Sequence, residues 1–177
     1  DTDAESFVAF MAKEFKLFWN AERISKMKKI GMESPSQVVT LASMVYSEQE
    51  QMKEEWPVIA KLYLNRLDKS MKLQSDPTFK FCWGSELDGV ERLLFIHRNI
   101  NCAYNTYKID GLPPGPICIA PGAVIDAVLN PSNVEYLFMC GKPGGVGHNF
   151  ATTNAEHDRN VAEYKVWLKK YLANKNK

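Results

Sequence analysis

The sequence is short of net charge: 22 Lys and Arg face 21 Asp and Glu, leaving +1 at pH 7. This balance removes any electrostatic reason to propose a nucleic acid or a polybasic contact with a membrane. No apolar run approaches the roughly 20 residues that a membrane-spanning helix requires. Neither a signal peptide nor an initiating Met opens the chain, so a sequence that begins at Asp1 almost directly in a helical pattern reads as a piece of a longer protein. Cysteine is scarce. Cys82, Cys102, Cys118 and Cys140 lie far apart without a C-x-x-C pair, which argues against a zinc site or a thioredoxin-type redox motif. Three pairings stay open, and free cysteines acting as small apolar residues are the preferred reading. His97, His148 and His157 lack ligand spacing such as H-E-x-x-H, so neither a metal nor a cofactor is expected. Internal repeats and low-complexity tracts are also missing.

What is present is enough for a core. The chain has 177 residues, 45% of them apolar, which predicts one domain with at most a small appendage. From Glu5 to about Met27 the residues Phe7, Phe10, Met11, Phe15, Phe18, Trp19 and Ile24 recur at helical spacing, so a first amphipathic helix with a core-facing aromatic stripe is expected. Ser34-Pro35-Ser36-Gln37 combines a capping Ser, a Pro at the first helical position and a Gln three residues after the cap. A second helix should run from there to about Glu50, with Val38, Leu41, Ala42 and Val45 inward. A third is expected from Trp56 to Leu67. Between Met71 and Gly84 the helical period is lost, and short β-prone pieces are predicted, punctuated by Asp76-Pro77.

The segment from Cys102 to Gly122 is dense in Pro and Gly and predicts a stiff loop with few accessible backbone states. Pro121 then opens a short helix carrying Val124, Ile125, Val128 and Leu129, ended by Asn130-Pro131. Tyr136 to Cys140 reads as a buried strand, Gly141 to Gly147 as a turn and His148 to Phe150 as a second strand that pairs with the first. A last helix, from Asn154 to Leu172, should place Val161, Tyr164, Trp167, Leu168, Tyr171 and Leu172 on the core. Helices and strands that do not alternate regularly give an α+β fold: amphipathic helices packed with short strands and a Pro/Gly-rich loop.

On a helix turning about 100° per residue, Glu48 projects beside Leu41 at the margin of the apolar face, while Glu50 falls on the polar side. A carboxyl at such a margin is partly desolvated, which disfavours its ionised form and suits a general acid. Arg66 shares a face with Ile59, Leu62 and Tyr63, so it must leave the core or find an acid, and a structural pair is the expected outcome.

The string LASMVYSE at Leu41 to Glu48 is followed by LNRL at Leu64 to Leu67, LQSDPT at Leu73 to Thr78 and YNTY at Tyr104 to Tyr107. GLPPGPI at Gly111 to Ile117 and GHNF at Gly147 to Phe150 complete the series. In this order, from about Ser36 to Leu172, they resemble the YceG-like endolytic murein transglycosylases. The resemblance implies cleavage of the β-1,4 bond between N-acetylmuramic acid and N-acetylglucosamine, leaving 1,6-anhydromuramyl ends, with Glu48 at the catalytic position. Met44 occupies a variable aliphatic position of the motif. Tyr46 stands where many members carry another acid, so position 46 has no acid role here.

A single carboxyl is chemically sufficient for that reaction. A hydrolase normally needs a second carboxylate to bring in water or attack the sugar. Here the nucleophile is the muramic acid's own 6-hydroxyl, whose intramolecular delivery is equivalent to roughly 10⁵ M or more. Glu48 would protonate the leaving oxygen and then accept the hydroxyl proton. Inside the matching motifs, Gln74, Asp76, Tyr104, Asn105, Thr106, His148 and Asn149 are expected to bind substrate, Gln74 and Asn105 foremost. Local turn bonding is an equal reading for Asp76 and Thr106.

The same resemblance implies a helix at residues 1–34 leading into a catalytic domain at 35–177. It also implies an inner-membrane anchor elsewhere in the full-length protein, an active domain facing the periplasm, a role in cell-wall assembly or glycan-strand termination, and peptidoglycan glycan strands and peptidoglycan synthases as partners. Two alternatives stay open: a muramidase-type hydrolase using Glu48 and Asp76, and a non-catalytic peptidoglycan-binding module.

Overall fold

Helix boundaries along the chain follow its capping residues. In a computed structural model, residues 3–87, 89–90 and 95–175 are described. Asp3 accepts the Ser6 N–H and starts α1 (Ala4–Phe18), and Asn20 accepts the Arg23 N–H and starts α2 (Ala21–Lys29). The single helix expected from Glu5 to Met27 is therefore two, broken at Trp19-Asn20, because an Asn side chain that bonds backbone N–H groups favours a cap over a helix interior. Ser34 accepts the Gln37 N–H at the start of α3 (Pro35–Glu48), and the Gln37 amide oxygen reaches back to the Glu33 N–H. A short 3-10 turn at Lys53–Glu55 leads into α4 (Trp56–Asp68).

The stretch from Met71 to Gly84, expected to be β-prone, is irregular over residues 71–75 and helical after them. α5 (Asp76–Trp83) starts at Asp76-Pro77, with Pro in its first turn where its missing N–H costs nothing. α6 (Phe95–Arg98) follows. The Pro-rich loop then runs without regular structure to α7 (Gly122–Leu129). The hairpin forms as expected: β1 (Phe138–Gly141) pairs antiparallel with β2 (His148–Ala151), in a register that sets Gly141 opposite His148 and Cys140 opposite Asn149. β1 is half-buried along its length, not fully buried. α8 (Asn154–Lys175) lies over this hairpin.

The core gathers around α3. Val38, Thr40, Leu41, Ala42, Ser43, Met44 and Val45 are all buried, so this helix is covered on nearly every side by α4, α5 and α7. Ile59, Leu62, Tyr63, Val124 and Val128 close the same cluster, joined by Trp19 at the break between α1 and α2 and by Met27 of α2. The Ser43 hydroxyl donates to the Thr40 carbonyl and accepts the Ile117 N–H, docking the Pro-rich loop on α3.

The aromatic stripe of α1 reaches this core at its end, where Phe18 packs against it, but not along its length. Phe7, Phe10 and Phe15 are each more than half exposed, and α1 has no buried residue. The face expected inward on α8 is at best half-buried, and Tyr171 is exposed. The α8 face meets a two-stranded hairpin, which is too small to cover a 22-residue helix. Cysteine chemistry also differs from expectation: Cys82 and Cys102 form a disulfide that ties α5 to the loop before residue 105, leaving Cys118 and Cys140 free. Among the described residues no helix is long and apolar enough to cross a membrane.

Candidate active site

The last turn of α3 delivers Glu48 to the floor of a cleft of about 700 Å³, walled by α4, the start of α5, α6, β1 and α8. A second depression of about 310 Å³ adjoins it beside the 141–147 turn. Glu48, Gly141, His148 and Tyr164 line both. The carboxyl thus stands where two arms of one open groove meet.

Glu48 Oε1 accepts the Tyr63 hydroxyl and the Ser75 hydroxyl, each at 2.6 Å. Among the described residues its other oxygen takes no hydrogen bond. Burial pushes the Glu48 carboxyl above the usual carboxylate range, Asp76 adds to the shift, and the two hydroxyl donors and His148 oppose it. Its place at a helix C-terminus, where the backbone dipole carries partial negative charge, acts in the same direction as burial. Burial beside Glu48 also drives the Tyr63 phenol far upward, so Tyr63 stays a donor.

A buried polar lattice fixes these donors. Ser75 occupies the capping position of α5 without capping it, because its hydroxyl is turned to Glu48. The Ser75 N–H donates to the Thr106 hydroxyl, which shares a hydrogen bond with Thr78 at 2.8 Å. Gln74 is held at φ +52°, a conformation costly for a residue with a side chain, and its N–H donates to the Thr106 carbonyl.

On the opposite side, the His148 N–H and ring Nδ1 both engage the Glu55 carboxylate, at 2.9 and 2.7 Å. Burial works against ionising Glu55, but the His148 N–H, its ring and the Gln49 amide outweigh it and hold the carboxyl below its usual range. With Nδ1 bonded to a carboxylate, Nε2 is the ring nitrogen left for a ligand.

A profile of the YceG-like family matches residues 1–163. The chain belongs to the YceG-like family. It is 34% identical over 164 residues to a Bacillus subtilis protein named endolytic murein transglycosylase, a match covering 93% of this chain and 44% of that protein. A Streptococcus pneumoniae protein of the same name is 26% identical over 162 residues, covering 90% of this chain and 28% of its own. The crystal structure of a YceG-like protein from Listeria monocytogenes superposes with a TM-score of 0.71 at 29% identity, over 89% of this chain and 49% of that one. The chain spans less than half the length of each of these relatives.

In this YceG-like fold, Glu48, Gln74, Asp76 and His148 come together on the groove. Asp76 accepts Tyr107 on one oxygen and Arg98, at 3.3 Å, on the other. Tyr104, Asn105, Thr106 and Asn149 do not line it. Asn105 and Thr106 are fully buried, and the Asn105 amide donates to the Arg98 and Ile100 carbonyls at 2.8 Å each. Tyr104 packs on Phe81, with ring centres 4.7 Å apart, and Asn149 sits in the strand ladder.

Among the described residues Arg66 finds no acid. It stays in the core and donates to the carbonyls of Leu137, Lys72 and Leu73, so backbone oxygens replace the structural carboxylate that was expected. Tyr63, Ser75 and Glu55 were not singled out by sequence. Ser75-Asp76-Pro77 repeats the Ser-then-Pro helix start of residues 34–35, a signal that could have placed Ser75 at a helix entrance near Glu48. Among the described residues no group of three or more His, Cys, Asp and Glu side chains is arranged to hold a metal ion.

Proposed function

We propose that this chain is the catalytic part of an endolytic murein transglycosylase, with Glu48 as its single general acid and base. It cuts the β-1,4 bond between N-acetylmuramic acid and N-acetylglucosamine within a strand and leaves a 1,6-anhydromuramyl end. The observation that carries this reading is the half-buried Glu48 carboxyl at the junction of two groove arms, one oxygen fixed by Tyr63 and Ser75 and the other open. A groove passing both sides of the carboxyl suits a cut inside a strand, and the names of the Bacillus and Streptococcus relatives agree with it.

In this mechanism the Glu48 proton resides on the unbonded oxygen and passes to the leaving glycosidic oxygen. The carboxylate left behind is stabilised at once by two hydroxyl donors already in place, with no reorganisation. It then takes the proton of the muramyl 6-hydroxyl as that oxygen closes on the anomeric carbon. Gln74 and His148 Nε2 hydrogen-bond the sugars. Thr106 acts one layer behind, holding the Ser75 and Gln74 backbones, and Asn105 ties the loop beside it to the Arg98 and Ile100 carbonyls. Residues 35–177 form the catalytic domain and residues 1–34 lead into it. Its substrate lies outside the cytoplasm, so we place it on the periplasmic side of an inner-membrane protein that works beside peptidoglycan synthases in ending glycan strands.

The hydrolase alternative asks Asp76 to attack or to activate water, although both its oxygens already accept hydrogen bonds. Product analysis decides between them. Mass spectrometry of digested peptidoglycan should find anhydromuramyl ends, and reducing muramic acid ends would replace the lyase by the hydrolase. Glu48→Gln should lower the rate by roughly 10² to 10⁴-fold. Strand binding without cutting by either protein would leave only the binding module.

A further inference from the structure

The amino-sugar backbone of a glycan is neutral, and hydroxyls and amides suffice to bind it. The larger arm of the groove nevertheless carries three full positive charges, Arg66, Arg98 and Lys165, against Asp76 and Glu48. The whole chain has a net charge of only +1, so this is a local excess. Arg66 is already occupied by backbone carbonyls. Arg98 touches Asp76 through side chains 41% and 33% exposed, a contact weak enough to exchange. Lys165 makes no hydrogen bond or ion pair among the described residues, yet it lies on the same side of α8 as Val161 and Tyr164, which also line the arm.

Murein differs from a plain amino-sugar polymer in bearing short peptides with free carboxylates on the lactyl groups of its muramic acids. The bond cut in the proposed reaction starts at the anomeric carbon of such a muramic acid. Its peptide must therefore leave the sugar within the same cleft as Glu48. We propose that Lys165 of α8 and Arg98 of α6 form a subsite for a carboxylate of that peptide, so that the groove selects peptide-bearing strands over bare glycan. This inference rests on the transglycosylase reading, and it adds a substrate preference that the sugar chemistry alone does not require.

The test measures binding, so that it does not depend on cleavage. Soluble glycan fragments bearing peptides, and the same fragments stripped by an amidase, are titrated into the Glu48→Gln protein by calorimetry at low and high salt. Peptide-bearing fragments should bind about threefold or more tightly than stripped ones, with the advantage shrinking in high salt. Adding Lys165→Gln should abolish the advantage, Lys165→Arg should keep it, and neither should alter binding of stripped fragments. Lys165 is exposed, so folding is not at risk. Equal affinity for both fragments, or a Lys165→Gln variant that weakens both alike, would overturn the subsite. Failure of the wild-type protein to cut peptidoglycan would instead count against the transglycosylase reading, and the two failures are separately visible.

Discussion

The Glu48 carboxyl is held between burial, which favours its neutral form, and two hydroxyl donors, which favour its charge. Removing a donor must therefore shift the balance in a known direction. Ser75→Ala should raise the Glu48 pKa further and move the alkaline limb of the pH–rate profile upward, while slowing the step that develops the carboxylate. A profile that moves to lower pH would contradict the assignment. The same carboxyl has a cost in stability. A Glu whose folded pKa lies above its unfolded value carries no penalty below the unfolded value, and the penalty grows as pH rises through the folded one. Glu48→Gln should thus raise Tm at pH 8 and lose that gain towards pH 4, a comparison readable by calorimetric scans at the two pH values.

Among the elements, the 141–147 turn is closed by the Lys142 N–H on the Gly147 carbonyl and the Gly145 N–H on the Lys142 carbonyl. Gly147 has φ +77°, and a Cβ there would lie 2.7 Å from Glu55 Oε1 and 2.8 Å from Met52 Sδ. Gly147→Ala should therefore push the turn away from Glu55, break the pairing that orients His148, and lose about 1–3 kcal/mol of stability together with activity. Denaturant midpoints and turnover measured on the same variant would check both. α5 shows a similar dual use, since the Ser at its cap position serves Glu48 and Thr106 supplies the hydroxyl that the Ser75 backbone needs.

At the scale of the whole molecule, stability is unevenly spread. α3, α4 and α7 share a core of fully buried side chains, whereas α1 contributes none and α8 only half-buried ones. Local opening follows buried contacts, so amide exchange should be slowest in α3, α4 and α7, faster in α8 and fastest in α1. Hydrogen–deuterium exchange followed by mass spectrometry reads this order directly. Protection in α1 equal to that in α3 would show the unevenness to be wrong. The groove itself lies between the α3–α4–α5 layer and the hairpin with α8, so the Glu48 carboxyl comes from the most stable part and the outer wall from a less stable one.

Local chemistry made much of this legible in the amino-acid order. Ser34-Pro35 and Pro121 marked helix starts, Gly141 to Gly147 marked a turn, and the position of Glu48 beside Leu41 marked a carboxyl at the edge of a buried face. These features depend on bonds and spacings within a few residues. Other features required contacts across the chain. The helical fate of residues 76–83 depends on packing against α3, and the Cys82–Cys102 bridge on bringing α5 beside the loop. Asn105 looked like a ligand group until the fold buried it among carbonyls. Ser75 and Tyr63 lie 27 and 15 residues from Glu48 and meet one of its oxygens only when α3, α4 and α5 assemble. The sequence by itself determined which carboxyl stands at the edge of a buried face, because that is set by its place on one helix. Only the tertiary structure decided what surrounds that carboxyl, because burial and partner hydroxyls arise between elements.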